Sequence, residues 1–188
     1  MRAGGVVIAA LAALAMSACG GSQQDAHEPS GNFKVAIVKQ SFPKDQKLAK
    51  RSLMVIAVKN MDTKPLPNVS VTVDSFNRNS TAADLSDPSR PVFIVNTGPR
   101  GAESANQSTA ALGELKPGQT KTFVWNVTAV KAGPYKIHFT VSAGLYGKAV
   151  AVDAAGNKFP GGEFVGVISR KAPHSTVNFK NGRTVEGG

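Results

Sequence analysis

An all-β fold, arranged as a two-layer antiparallel sandwich, is predicted by three features of this 188-residue chain. Its clearest stretches alternate apolar and polar residues with period two, and turns containing Gly and Pro punctuate them at short intervals. Beyond the N-terminal region, no ten-residue stretch carries a sustained helical apolar stripe with good caps. A strand with one buried and one wet face needs a single covering layer, which a second antiparallel sheet supplies.

The β texture begins at Asn32. Phe33 to Val38 and Leu53 to Val58 are more continuously apolar, so they are expected at central positions or covered on both faces. The segment from Asn60 to Pro67 makes a loop. Val69, Val71 and Val73 then share one face while Ser70, Thr72 and Asp74 share the other. Short helical turns are expected at Thr81 to Leu85 and Gly101 to Ala111. Lys116-Pro117-Gly118-Gln119 reads as a turn, and Phe123, Trp125 and Val127 point one way from the strand that follows. After the Ala132-Gly133-Pro134 turn, Tyr135, Ile137, Phe139 and Val141 alternate with Lys136, His138, Thr140 and Ser142. The tail from Gly147 offers strands at Ala149 to Val152, Glu163 to Ile168 and Ser175 to Phe179, with a turn over 154–157 and a hairpin turn at Asn181-Gly182. Forty-two residues are too few for a comfortable separate core, so the tail either completes the sandwich or adds a small sheet.

The N-terminal region has a different character. Arg2 precedes an apolar stretch from Gly4 to Met16, and Met16-Ser17-Ala18 leads to Cys19, the only cysteine in the chain. This arrangement resembles a bacterial lipoprotein signal, departing from it at Met16, where the family most often carries Leu. The resemblance implies cleavage after Ala18, a diacylglycerol on the Cys19 thiol, and further acylation of the new N-terminus, with a fatty acid such as palmitate. An apolar run of thirteen residues is too short to span a bilayer, which takes about 17 to 25. An ordinary secretory signal would leave a free thiol at a flexible terminus. One acyl chain holds a membrane only marginally, whereas two or three make a stable anchor.

Removing residues 1–18 takes away one charge, Arg2, so a formal net charge of +10 becomes +9 and 170 residues remain. That length suits one domain, placed at 32–188. The intervening 19–31 is a lipidated tether: residues 20–31 lack large apolar side chains and span roughly 20 Å as a flexible coil. No other cysteine is present to cross-link the fold. The positive residues look scattered, as Lys34, Lys39, Lys44, Lys47, Lys50, Arg51 and onward. An exported domain of this charge has the membrane as a partner through its anchor, with an envelope protein or an anionic wall polymer as further partners. Export excludes nucleic acid.

A second resemblance covers roughly residues 33–145. Val58-Lys59-Asn60, the valines of 69–73, Leu115-Lys116-Pro117-Gly118-Gln119-Thr120 and Gly133-Pro134-Tyr135-Lys136-Ile137 are similar to the pattern of bacterial envelope modules of the CARDB and DUF11 types. The likeness implies an immunoglobulin-like β-sandwich. Such modules serve as spacers, adhesins and carbohydrate- or protein-binding units. The chain departs from the pattern at an insertion near 77–113 and an extension after 146. The insertion holds a short apolar strand, Val92 to Val95, with Arg90 and Arg100 at its edges. Loops this long are either functional or mobile, and two arginines can hold a carboxylate or phosphate, so these two are the candidate binding residues. The plainer reading is an ordinary strand crossing between sheets.

Chemistry is sparse. His27, His138 and His174 are widely separated, and no nucleophile elbow or paired-carboxylate motif accompanies them. A blue-copper site needs a thiolate, and Cys19 is committed to lipid. Met54 lies in an apolar strand and reads as core, which leaves Met61 and His138 an unconvincing alternative. Asp153, Gly156 and Asn157 have a faint calcium-loop character but lack the further acidic ligands. No catalytic residue, cofactor or metal is expected. The sequence leads to a lipid-anchored, non-catalytic binding or structural module held outside the cytoplasmic membrane. The alternative is a tethered envelope enzyme or an accessory subunit of a transporter or wall enzyme.

Overall fold

The computed structural model describes residues 28–74, 91–106, 108–171, 175–178 and 180–186, with the side chains of 104–106, 175–178 and 184–186 excepted. Residues 1–27, which include Cys19, His27 and the signal segment, lie outside this set, as do Thr81 to Leu85, Arg90 and His174. In chain order the described strands are β1 (Gly31–Ser41), β2 (Asp45–Lys47), β3 (Arg51–Asn60), β4 (Ser70–Val73), β5 (Phe93–Thr97), β6 (Glu103–Asn106) and β7 (Thr109–Ala111). They continue as β8 (Thr120–Ala129), β9 (Gly133–Ser142), β10 (Ala149–Val152), β11 (Gly161–Ser169), β12 (Ser175–Asn178) and β13 (Arg183–Glu186).

One sheet runs β10-β1-β3-β8-β5 and the other β2-β11-β9-β4-β7-β6. The central orders β1-β3-β8-β5 and β11-β9-β4 reproduce the two sheets of an immunoglobulin-type sandwich. Period-two alternation does what it predicts: Val69, Val71, Val73, Phe123, Trp125, Val127, Tyr135, Ile137, Phe139 and Val141 are all buried between the sheets. Met54, Ile56 and Val58 join them from β3. Full burial of each such side chain contributes roughly 1.5 to 3 kcal/mol.

The runs in β1 and β3 take the first of the two placements expected of them, central in hydrogen-bonding order. The outer face of their sheet has no layer over it among the described residues, so Val38 and Leu53 are about half exposed (51% and 54%). Three other expectations need correction. The helical turn expected over 101–111 is instead the strand pair β6 and β7. Thr109 to Ala111 pair with Ser70 to Thr72, and that long-range ladder, with burial of Ala110 and Ala111, outweighs the local helical bias of Ala and Gln. From Phe93 onward the stretch read as an insertion belongs to the sandwich, since β5 pairs with β8 and buries Phe93. The domain also begins before Asn32: Gly31 opens β1, and Glu28, assigned to the tether, is buried.

The tail does both things expected of it. β10 adds to β1 in parallel and β11 pairs with β9, while β12 and β13 form a separate two-stranded sheet. Its turn carries Gly182 at φ +65°, and Asn181 Oδ1 accepts the Arg183 N–H at 3.1 Å.

Two ends of the sandwich position everything that follows. At the entry end, where β1 begins, the Glu28 carboxylate accepts the amides of Tyr146 and Ala149, each at 2.8 Å. The 61–69, 112–119 and 143–148 loops meet there through Leu66–Leu115 and the Asn68 N–H to Ala143 bond. At the far end, some 30 Å away along the ten residues of β3, the 42–50 segment packs beside the end of β11 and the 130–132 turn.

Candidate functional site

The far end is built on an aromatic cluster. Phe42, where the chain crosses from β1 to β2, meets Phe93, Tyr135 and Phe164 edge-on, with ring centroids 5.4 to 5.7 Å apart. The Tyr135 hydroxyl donates to the Pro43 carbonyl, and the buried Gln46 amide donates to the same carbonyl at 3.1 Å and to the Tyr135 oxygen at 3.3 Å. Burial pushes the Tyr135 phenol pKa up from its ordinary value. Gln46 Oε1 is buried without a partner among the described residues.

This floor fixes the loop above it. Leu48 N–H donates to Ser169, Ala49 N–H to Ala129, and Ala129 N–H to Lys50. Ala49 takes the left-handed conformation (φ +61°) that closes the turn. In register, Lys47 sits beside Ser169, which Arg170 and Lys171 follow; Lys50 sits beside Ala129, two residues before Lys131; and Arg51 faces Thr128. Across 41–51, 129–135 and 165–171 there are seven cations, Lys44, Lys47, Lys50, Arg51, Lys131, Arg170 and Lys171, against one anion, Asp45. All but Lys131 are exposed. These three segments, described throughout, therefore carry a net +6 of the chain's total of +10. Charges that look scattered in sequence are thus gathered by the fold. The run Lys44, Lys47, Lys50, Arg51 was the one visible sign; the contributions of Lys131, Arg170 and Lys171 depend on sheet register.

The residues singled out from sequence lie elsewhere. Arg100 is exposed in the turn between β5 and β6. Its proposed companion Arg90 lies outside the described residues, as does Cys19. His138 stands on the outer face of β9, 3.6 Å from Glu163 Oε2, which also pairs with Lys136 at 2.8 Å. The Lys136 contact holds the Glu163 carboxyl below its ordinary pKa. Met54 is core, whereas Met61 is half exposed. Asp153 closes a turn: Asn157 donates to it from side chain and backbone, both at 2.8 Å, and the Ala155 amide does so at 2.9 Å. These bonds, the Asn157 side chain foremost, lower its pKa. Among the described residues no three His, Cys, Asp or Glu side chains come together in a metal-binding group. No helix among them is long and apolar enough to cross a membrane.

Two clefts open on the flanks, of about 560 Å³ between Lys34–Ile37 and Asp153–Gly161, and about 270 Å³ beside Trp125 and Pro99. The larger has an apolar rim with Met61, but a bulge between Ile37 and Lys39 interrupts the β1 edge that faces it.

No family model matches this chain, and no curated protein does. Solved structures similar to it include native α2-macroglobulin of Escherichia coli, at 17% identity and TM-score 0.45, covering 76% of this chain and 7% of that one. The CARDB domain of a Pyrococcus furiosus protein, determined in complex with di-metal ions, aligns at 14% identity and TM-score 0.40, covering 73% and 86%. A β-glucosidase from Listeria innocua aligns at 13% identity and TM-score 0.39, covering 74% and 16%. With scores this low, the functional reading comes from this chain's own residues.

Proposed function

We propose that this protein is a lipid-anchored, non-catalytic binding module of the bacterial cell envelope, tethered through Cys19 on the outer side of the cytoplasmic membrane. The observation that carries the reading is polarity of construction. The chain enters the sandwich at one end, where Glu28 is clamped directly after the polar 19–27 stretch, and the basic loops cluster at the other. A tether at the entry end directs the far end away from the bilayer, where a recognition surface has access to its partner. Immunoglobulin-type sandwiches commonly carry recognition on the loops at one end, in keeping with this arrangement.

Intact-mass analysis of protein recovered from a bacterial membrane tests the anchor. Wild type is expected to lack residues 1–18 and to carry acyl mass, and Cys19→Ala to lose that mass and leave the membrane fraction. A mature wild-type protein without acyl chains refutes the anchored reading. Crosslinking in intact cells followed by pull-down tests the module: recovery of neither a specific protein nor a wall polymer makes it a spacer.

A further inference from the structure

We infer that the basic far end is a surface for a linear polyanion, a polymer carrying phosphodiester or carboxylate groups at repeated spacing; this rests on the reading of the protein as a binding module. The seven cations come from three chain segments and from both sheets. Adjacent strands lie about 4.8 Å apart and stacked sheets about 10 Å, so the charges spread over some 15 to 20 Å. One phosphate or carboxylate engages donors within about 4 Å and leaves most of this surface unused. Several anions along one chain use it all.

The composition points the same way. Five of the seven are lysines, strongly hydrated point charges on flexible stems, which suit successive polymer charges better than one fixed planar group. Among the described residues of 42–50 and 130–133 no large apolar side chain is exposed; the exposed valines of the third segment, Val165 and Val167, lie along β11 and not in these two loops. The entry end, not this one, follows the tether.

The test titrates full-length protein in neutral detergent with long-chain polyphosphate, polygalacturonate, inorganic phosphate and mixed micelles containing phosphatidylglycerol. Polymer binding is expected at about 0.15 M salt, weakening as salt rises. The variant Lys47→Glu/Lys50→Glu/Lys171→Glu is expected to lose about tenfold or more in affinity. The charge-matched Lys34→Glu/Lys116→Glu/Lys158→Glu, which alters the rest of the surface, is expected to stay within about threefold of wild type. Thermal melts confirm that both fold; if the first does not, Lys47→Gln/Lys50→Gln/Lys171→Gln replaces it, with a smaller loss expected. Equal losses in the two variants overturn the proposal, because binding would then follow net charge alone. So do absence of polymer binding, inorganic phosphate competing as well per charge as the polymer, and tighter binding to the phosphatidylglycerol micelles. An unacylated Cys19 leaves this surface standing, and loss of polymer binding leaves the anchor standing, so the two failures are separable.

Discussion

Asn60 shows how much a single buried amide organises. It is fully buried at the end of β3, donating to the carbonyls of Lys64 and Leu115 at 2.9 and 2.8 Å and accepting the Asp62 amide at 2.8 Å. Its backbone bonds Gln119 and Gly118 in the 116–119 turn. One residue thus joins two segments that the sequence pattern places far apart, the strand end and the Pro-Gly turn. Replacing Asn60 with Ala takes the side-chain partner from the Lys64 carbonyl and the Asp62 amide and leaves the Leu115 carbonyl with only the Leu66 N–H, and is expected to cost about 2 to 3 kcal/mol, read by chemical denaturation; a loss under about 1 kcal/mol would contradict the clamp. Tyr135 does similar work at the far end. Tyr135→Phe removes its bond to Pro43 and is expected to cost about 1 to 2 kcal/mol at neutral pH. The folded phenol has its pKa raised by burial. Its contribution is therefore complete below the unfolded value of about 10 and fades as pH rises through the folded one. Stability curves of wild type and Tyr135→Phe should converge above about pH 10; a constant gap would refute this. Both residues stand out in sequence as part of a pattern, but neither pattern says which carbonyls they hold.

At the scale of elements, the entry clamp and β11 illustrate how glycines admit other parts of the chain. A side chain at Gly144 would run into the Glu28 carboxylate, with a Cβ 1.6 Å from its Oε1. Gly144→Ala is expected to expel Glu28, releasing the amides of Tyr146 and Ala149 and speeding their hydrogen exchange by about tenfold or more, with β9 unchanged. Unaltered exchange at those amides would refute the clamp. In β11, Gly166 lies against the Lys44 carbonyl, 2.1 Å from where a Cβ would sit, and against the Tyr135 ring. Gly166→Ala therefore pushes apart the pairing of β11 with the 42–47 segment and should destabilise by about 1 to 3 kcal/mol in thermal unfolding. The strands themselves were legible where alternation was strict, as in β4, β8 and β9. β6 and β7 were not, because Thr109 to Ala111 owe their extended form to β4 and carry no alternating pattern of their own.

For the whole molecule, the fold is held without an internal disulfide, since Cys19 has no partner cysteine, so reductant should leave the unfolding midpoint unchanged. Salt should not. The net +6 at the far end repels itself, and raising ionic strength from about 0.01 to 0.15 M shortens the screening length from about 30 to 8 Å. The melting temperature should rise by a few degrees, less so in Lys47→Gln/Lys50→Gln/Lys171→Gln; a fall on adding salt would contradict a repulsive end. The sequence by itself determined the all-β class, the buried faces of the strict strands, the absence of a cross-link and the features of an export signal. These are local, because side-chain direction along a pleated strand repeats every two residues whatever lies next to it. Only the tertiary structure decided that Glu28 belongs to the domain, that 101–111 is extended and that cations more than 100 residues apart share one surface. Those facts depend on which strand pairs with which and in what register, and a register between distant segments is set by the packing of the whole core.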